Sequence, residues 1–95
     1  MLGLDAEDKL VPGGITPEAE QTMENLKTVV EANGSSLDRV VNCQVLLADI
    51  AERDALNAIY KKYGSPGKFP ARNAVGITGL YLGARVELAC VAVVK

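Results

Sequence analysis

The chain has 95 residues and a formal net charge of −2, which is the size of one domain and offers no positive field for nucleic-acid phosphates. Its 48% hydrophobic content indicates a folded core rather than disorder. The chain has no histidine, and this excludes imidazole bases, histidine-activated nucleophiles and histidine-ligated metals. We therefore predict that residues 1–95 form a single domain, for which nucleic acid is a poor first candidate as a partner.

The first part of the chain predicts a loop followed by a helix. Residues Asp5–Gly14 combine acidic residues with Pro12-Gly13-Gly14 and indicate a loop or hairpin end. Thr16 is the predicted helix N-cap, and the helix runs to about Ala32, where Asn33-Gly34 ends it. One apolar stripe at helical spacing supports this helix: Ala19, Met23, Leu26 and Val30.

The remainder predicts a strand, a second helix and two further strands. Val40–Ala48 is rich in β-branched residues and indicates a strand. Asp49 can cap a helix over about Ala51–Tyr63, and strands follow over about Arg72–Thr78 and Arg85–Val94. This order predicts an α+β sandwich with two helices on one face of the sheet.

Both sides of the last predicted strand are largely apolar. One side carries Val86 and Leu88, and the other carries Val91 and Val93 beyond a single carboxylate, Glu87. Two helices can cover only one face of a sheet, so the other face must meet something else. In so short a chain we predict that it meets another copy of itself, and hence an oligomer.

The two cysteines, Cys43 and Cys90, each lie within an apolar run, and we interpret them as buried free thiols in a reducing compartment. No secretion signal or membrane span is visible. The predicted location is therefore the cytoplasm, with the mitochondrion as the alternative. Nor is a metal site predicted, because the acidic cluster at residues 5–8 lacks the glycine and terminal glutamate of a calcium loop.

Two residues could carry chemistry together. Arg72 opens one predicted strand and Glu87 lies early in the next, so pairing of these strands would bring both groups to one end of the sheet. Arg72 could then bind a substrate carboxylate while Glu87 polarises a water. The alternatives are an ordinary ion pair between strands, or a local pair of Arg85 with Glu87. On spacing alone, Asn57 is an ordinary surface amide.

Two blocks resemble a known family. Pro70-Ala71-Arg72-Asn73-Ala74-Val75, followed by Arg85-Val86-Glu87-Leu88-Ala89-Cys90-Val91-Ala92, is similar to the signature of the RidA/YjgF/UK114 family of enamine and imine deaminases. Val45-Leu46-Leu47-Ala48-Asp49-Ile50 and Asn57-Ala58-Ile59-Tyr60 match it as well. The resemblance covers essentially the whole chain.

The resemblance implies a chorismate-mutase-like α+β fold, with a mixed sheet, that assembles as a homotrimer with a cleft at each subunit boundary. It implies cofactor-independent hydrolysis of 2-imino acids, which arise from enamines such as 2-aminoacrylate and 2-aminocrotonate, to 2-keto acids and ammonia. In this family Arg72 would bind the substrate carboxylate and Glu87 would orient the attacking water. Ala74 would contact the substrate through its backbone, and Asn57 would lie near the cleft.

The chain departs from the family pattern at three places. Ala89 replaces the second glutamate of a Glu-x-Glu motif, and Ala74 replaces a cysteine. Moreover, the chain begins with Met1 after the point where family members carry a Gly-Pro-Tyr motif and about two strands. The alternatives to an active deaminase are a non-catalytic carboxylate-binding or interaction trimer, and a ribonuclease or translation inhibitor. The net charge of −2 argues against the last.

Overall fold

The structure is a computed structural model and describes residues 1–63 and 71–94. This part of the chain holds two α-helices and three strands: α1 (Ile15–Ala32), β1 (Val40–Leu47), α2 (Arg53–Tyr63), β2 (Ala71–Gly76) and β3 (Val86–Ala92). Short 3-10 turns precede β1, precede α2 and lie between β2 and β3: Leu37–Arg39, Ile50–Glu52 and Tyr81–Gly83. All the predicted helices and strands are present, although β2 and β3 are each shorter than the sequence pattern indicates.

The three strands form a mixed sheet in the order β2-β1-β3. β1 runs parallel to β2 and antiparallel to β3, so Cys43 at the centre is level with Arg72 on one side and Cys90 on the other. The first residue of the chain extends the sheet beyond β3. Its terminal amine donates to the Leu88 carbonyl at 2.6 Å, and the Leu88 N–H donates back to the Met1 carbonyl at 2.9 Å.

Both helices pack on one face of this sheet. Alternate residues of β1 are buried against the helices: Cys43, Val45 and Leu47. Gln44, which lies between Cys43 and Val45, is exposed on the other face. The core also takes residues from both helices and from β3: Ala19, Met23, Leu26, Val30, Leu56, Ile59, Tyr60, Val86 and Leu88. The predicted α+β sandwich with two helices on one sheet face is confirmed.

The opposite face of the sheet has no layer over it in the described chain. Val75 of β2 is 39% exposed and Val91 of β3 is 60% exposed, and both leave the sheet on this side. Within β3, the exposed Val91 lies opposite the buried Val86 and Leu88, in agreement with the prediction of apolar residues on both sides of this strand.

The two ends of α1 differ in how well the sequence predicts them. Thr16 is not the N-cap; Gly14 takes that place with a φ of 90°, and its carbonyl accepts the Glu18 N–H at 3.2 Å. The prediction is wrong because glycine reaches this positive φ at no steric cost, which starts the helix two residues earlier. At the other end Gly34 is left-handed, with a φ of 79°, and the predicted glycine stop is confirmed.

The start of α2 is capped as predicted. The Asp49 side chain accepts the N–H of Ala51 at 3.0 Å, which satisfies one of the unpaired donors at a helix start. A 3-10 turn over Ile50–Glu52 comes first, and the α-helix proper then begins at Arg53.

A buried carboxylate ties α1 to the start of β3. Glu18 is 2% exposed, and its Oε2 accepts the backbone N–H groups of Arg85 at 2.7 Å and Val86 at 3.0 Å. These bonds satisfy the backbone N–H donors of the first residue of β3 and of the residue before it. The Glu18 carboxylate thus fixes where β3 enters the sheet.

The interpretation of the cysteines as free thiols is wrong. Cys43 and Cys90 form a disulfide between β1 and β3, with their Cα atoms 4.1 Å apart. The physical reason is register: antiparallel pairing sets the two residues directly opposite each other on the helix-facing side. That register depends on residues 47 positions apart in sequence, and no local pattern reveals it.

Alkylation tests the disulfide. Under denaturing, non-reducing conditions we expect no iodoacetamide adduct on Cys43 or Cys90, and two adducts after reduction. Closing a loop across a sequence separation of 47 should stabilise the oxidised protein by about 4 kcal/mol in the chain-entropy account, measured by urea unfolding of oxidised and reduced protein. Two adducts without reductant would contradict the disulfide.

Alkaline unfolding tests the contact between the helices. Burial, a hydrogen bond to Glu24 and the charges of Glu24 and Glu20 raise the pKa of Tyr63 from 10.0 to about 12. Because the folded pKa lies above the unfolded one, the protonated phenol stabilises the fold fully below pH 10, and this contribution is lost as the pH rises through about 12. We expect Tyr63→Phe to reduce the fall in unfolding free energy over this range. As the control, Tyr81→Phe changes a tyrosine outside this contact, and equal slopes in wild type and Tyr63→Phe would contradict the prediction.

Candidate functional site

Arg72 lies on the helix-facing side of the sheet. It is the second residue of β2 and pairs with Cys43, whose side chain is buried beneath the helices. Its guanidinium carbon stands over the Tyr60 ring of α2, 4.8 Å from the ring centroid. Sequence reasoning did not select Tyr60 as a site residue. The available signal was its spacing of three from Asn57, which sets both on neighbouring turns of one helix face.

Two polar atoms in this region are buried and have no hydrogen-bond partner among the described residues. They are Nη1 of Arg72 and Oδ1 of Asn57. Leaving a buried donor or acceptor unpaired costs about 1–3 kcal/mol, and native proteins keep few such groups. One unpaired donor and one unpaired acceptor on facing elements are what a polar ligand could satisfy.

The electrostatics of the ring and the guanidinium are coupled. Burial raises the pKa of the Tyr60 phenol above 10.0, and the Arg72 charge opposes this rise. The phenol is therefore protonated at neutral pH. Arg72 consequently faces a neutral aromatic ring and not a phenolate.

An open cavity of about 540 Å³ lies at the end of the sheet where β2 begins. Arg72 contributes to its wall, together with residues from all three strands: Asn42, Gln44, Asn73, Ala89, Cys90 and Val91. The open face supplies carboxamides and the apolar surface of Val91, and Arg72 borders the cavity from β2 with its guanidinium on the helix-facing side. This lining suits a small polar ligand.

Glu87 does not lie beside Arg72. It is level with Leu46 on β1 and falls between the buried Val86 and Leu88, so its side chain leaves the sheet on the face away from the helices. It lines a second cavity of about 520 Å³ with the N-terminal segment and α1. The expected convergence of Arg72 and Glu87 within one chain is wrong, because β1 lies between their strands.

The ion pair found near this end of β3 differs from the one that the sequence left open. Arg85 donates through Nη1 to both carboxylate oxygens of Glu52, each at 3.0 Å. Arg85 therefore pairs with the turn before α2 and not with Glu87. Neither residue belongs to the cavity beside Arg72.

The other two positions of interest lie near Arg72 on opposite faces of the sheet. Ala74 pairs with Val45 and packs against the core on the helix side, two residues along β2 from Arg72. Ala89 pairs with Gln44, is exposed on the open face and lines the 540 Å³ cavity. The roles predicted for Ala74, Arg72, Asn57 and Glu87 stay predictions.

Residues 1–63 and 71–94 contain no group of three or more His, Cys, Asp or Glu side chains that could hold a metal ion. Within the same ranges, neither helix is long and apolar enough to cross a membrane.

The unpaired amide oxygen predicts the effect of a substitution on stability. Because Asn57 Oδ1 is buried without a partner in residues 1–63 and 71–94, we expect Asn57→Ala to be at least as stable as wild type in urea unfolding, with a gain of up to about 1–3 kcal/mol. The matched control is Asn25→Ala, which removes hydrogen bonds to the carbonyls of Leu2 at 3.0 Å and Leu4 at 2.8 Å and should lower stability. Equal losses in both variants would show that the Asn57 amide is a structural group.

Comparisons with known proteins agree with this fold. The model of the family described as "Endoribonuclease L-PSP" matches residues 1–94. Protein HMF1 of Saccharomyces cerevisiae is 44% identical over 86 residues, which are 90% of this chain and 66% of that protein. The 2-iminobutanoate/2-iminopropanoate deaminase of Capra hircus is 43% identical over 93 residues, 97% of this chain and 67% of that enzyme. The chain thus spans about two thirds of the length of these relatives.

A solved structure gives the same result. The crystal structure of RidA from the Antarctic bacterium Psychrobacter matches with a TM-score of 0.88 and 35% identity, and the match covers 97% of this chain and 75% of that one. The order of elements, the mixed sheet and the two-helix layer are therefore those of a fold already known. The chain belongs to the endoribonuclease L-PSP family, which is the RidA/YjgF/UK114 family that its strand signatures resemble.

Proposed function

We propose that this chain hydrolyses 2-imino acids, formed from enamines such as 2-aminoacrylate and 2-aminocrotonate, to 2-oxo acids and ammonia. The observation that carries the proposal is the half-buried Arg72, whose Nη1 has no partner among the described residues and which borders a cavity. Relatives at about 43% identity that are named 2-iminobutanoate/2-iminopropanoate deaminase support the reaction class. The cytoplasmic location and a role in limiting metabolite damage stay predictions.

Arg72 is the proposed carboxylate-binding residue. A guanidinium offers parallel N–H donors that match a carboxylate, and such a pair is stronger when partly removed from water. Among the described residues its guanidinium lies over the face of the neutral Tyr60 ring, which leaves its charge uncompensated by that contact. Asn57 Oδ1 supplies an unpaired acceptor for an N–H of the substrate.

A complete site needs a second copy of the chain. Arg72 lies at the β2 edge on one face, and Glu87 lies on the β3 side on the other face. A closed head-to-tail ring brings one edge of each copy against the opposite edge of the next. The exposed Val75 and Val91 provide apolar area that such contacts would bury. We propose the homotrimer that the family resemblance implies, with Arg72 and Glu87 contributed by neighbouring copies.

The proposed hydrolysis requires the protein mainly to position the imine and a water and to transfer protons. The carbon of a protonated C=N bond is electrophilic. Glu87 accepts a proton from a water as its oxygen bonds to this carbon, and the C=N electron pair moves to nitrogen. Glu87 then gives this proton to the amine nitrogen. As the C–N bond breaks, the hydroxyl oxygen forms the carbonyl and its proton passes to Glu87, which returns it to the departing ammonia, so that a 2-oxo acid and an ammonium ion result. The reaction is a hydrolysis without net oxidation or reduction, and general acid–base transfer at Glu87 balances its protons.

One observation favours a second candidate, a trimer that binds carboxylates without turnover. Ala89, two residues after Glu87 on the same face, has no carboxylate where the family carries its second glutamate. Glu87 would then act without a neighbouring acid. A ribonuclease is not proposed, since the net charge of −2 and the pI near 5.0 disfavour binding to a polyanion.

A coupled assay separates the two candidates. A pyridoxal-phosphate dehydratase generates 2-aminoacrylate, and release of the 2-oxo acid above the spontaneous rate is followed with wild type, Arg72→Ala and Glu87→Gln. We expect both variants to lose the enzymatic increment, since each removes a group that contacts the substrate or the water. If the wild type gives no increment but binds pyruvate in an Arg72-dependent way, the binding candidate holds.

Mixing the two inactive variants tests whether neighbouring copies share the site. Arg72→Ala and Glu87→Gln chains are unfolded together in equal amounts and refolded. Where each site takes Arg72 from one copy and Glu87 from the next, about one quarter of the sites contain both groups, so we expect about a quarter of wild-type activity. Each variant refolded alone is the control. No recovery in the mixture would place both residues in one copy's site and overturn the shared arrangement.

A further inference from the structure

We propose that Tyr60 is a positioning residue for Arg72, fixing the plane of the guanidinium so that its N–H edge is ready for a substrate carboxylate. The inference rests on the proposed function, since it assumes that Arg72 binds that carboxylate. It begins from the 4.8 Å separation of the guanidinium carbon and the ring centroid, well inside the roughly 6 Å reach of a cation–π contact. Tyr60 itself is 8% exposed, so the ring is held in place by the core.

The type of contact matters. A guanidinium can be held by a carboxylate, but that partner uses its N–H donors and neutralises its charge. An aromatic face instead attracts the flat face of the cation and leaves the in-plane N–H groups unused. Consistent with this, Nη1 of Arg72 has no hydrogen-bond partner among the described residues. The ring thus restrains a long side chain while leaving its binding edge and its charge available.

The ring also remains neutral while it does this. An ordinary phenol is already protonated at neutral pH, and burial raises the pKa of Tyr60 further against the opposing effect of Arg72. A phenolate would form an ion pair with the guanidinium and compete with an incoming anion.

A purely structural role for Tyr60 makes a different prediction, because the residue is also part of the apolar cluster. If it only fills the core, its loss should weaken every ligand equally or none. If it positions Arg72, its loss should weaken carboxylate ligands alone, and only while Arg72 is present.

The experiment measures binding of pyruvate and of its neutral amide, pyruvamide, to the intact oligomer by calorimetry. The proteins are wild type, Tyr60→Leu, Tyr60→Phe, Arg72→Ala and the Tyr60→Leu/Arg72→Ala double variant. We expect Tyr60→Leu to weaken pyruvate binding by about two- to thirtyfold, the range of a partly to fully desolvated cation–π contact. Tyr60→Phe keeps the ring and should stay close to wild type, and pyruvamide binding should not change. In the Arg72→Ala background Tyr60→Leu should have no further effect.

The outcomes distinguish the two proposals. If Arg72→Ala loses pyruvate binding while Tyr60→Leu matches wild type, the positioning role is overturned and the proposed function survives. An equal loss of pyruvate and pyruvamide in Tyr60→Leu also overturns the positioning role, in favour of a structural one. If Arg72→Ala binds pyruvate as wild type does, the proposed carboxylate site fails, and the role of Tyr60 fails with it.

A second series covers the case in which Tyr60→Leu does not fold. Phenylalanine analogues carrying increasing numbers of ring fluorines are introduced at position 60, which nearly preserves volume while withdrawing electron density from the ring face. Because the attraction of a cation depends on that density, pyruvate affinity should fall stepwise with each added fluorine. A flat series in folded proteins would overturn the positioning role.

Discussion

The parallel pairing of β1 with β2 is the constraint on which the site depends. Parallel neighbours need a crossover, and here α2 lies within it on the covered face of the sheet. The start of β2 consequently lies beneath the last turns of α2, and Arg72 meets Tyr60 there. An antiparallel partner in this place would reverse the strand and carry Arg72 away from the helix. The order and direction of the strands thus place the Arg72 guanidinium beside the Tyr60 ring.

The central place of β1 has a second consequence. It keeps the two candidate chemical groups, Arg72 and Glu87, on different strands and on different faces, so they do not meet within one copy. The same sheet leaves Val75 and Val91 exposed on its open face. The position of β1 thus both separates the two groups of the proposed site and leaves an apolar sheet face uncovered in the described chain. Association of copies would bring the two groups together and cover that face.

The sequence predicted what local rules control. Apolar periodicity placed both helices, Gly34 ended α1 and Asp49 capped the turn before α2, because each signal lies within a few residues of its effect. Register failed because it depends on distant residues. Nothing near Cys43 indicates that Cys90 lies opposite, and nothing near Arg72 indicates that β1 separates it from Glu87.

The distribution of satisfied and unsatisfied polar groups separates scaffold from site. The buried Glu18 accepts two backbone N–H groups, and Asn25 donates to two carbonyls, so each of these groups secures a segment of chain. Arg72 Nη1 and Asn57 Oδ1 are buried as well, yet neither atom forms a hydrogen bond within the described chain. A buried donor on β2 and a buried acceptor on α2 that have no partner among the described residues lower stability, and a ligand that pairs with them would restore it. These two unpaired groups are therefore the structural observation on which the proposed substrate site rests.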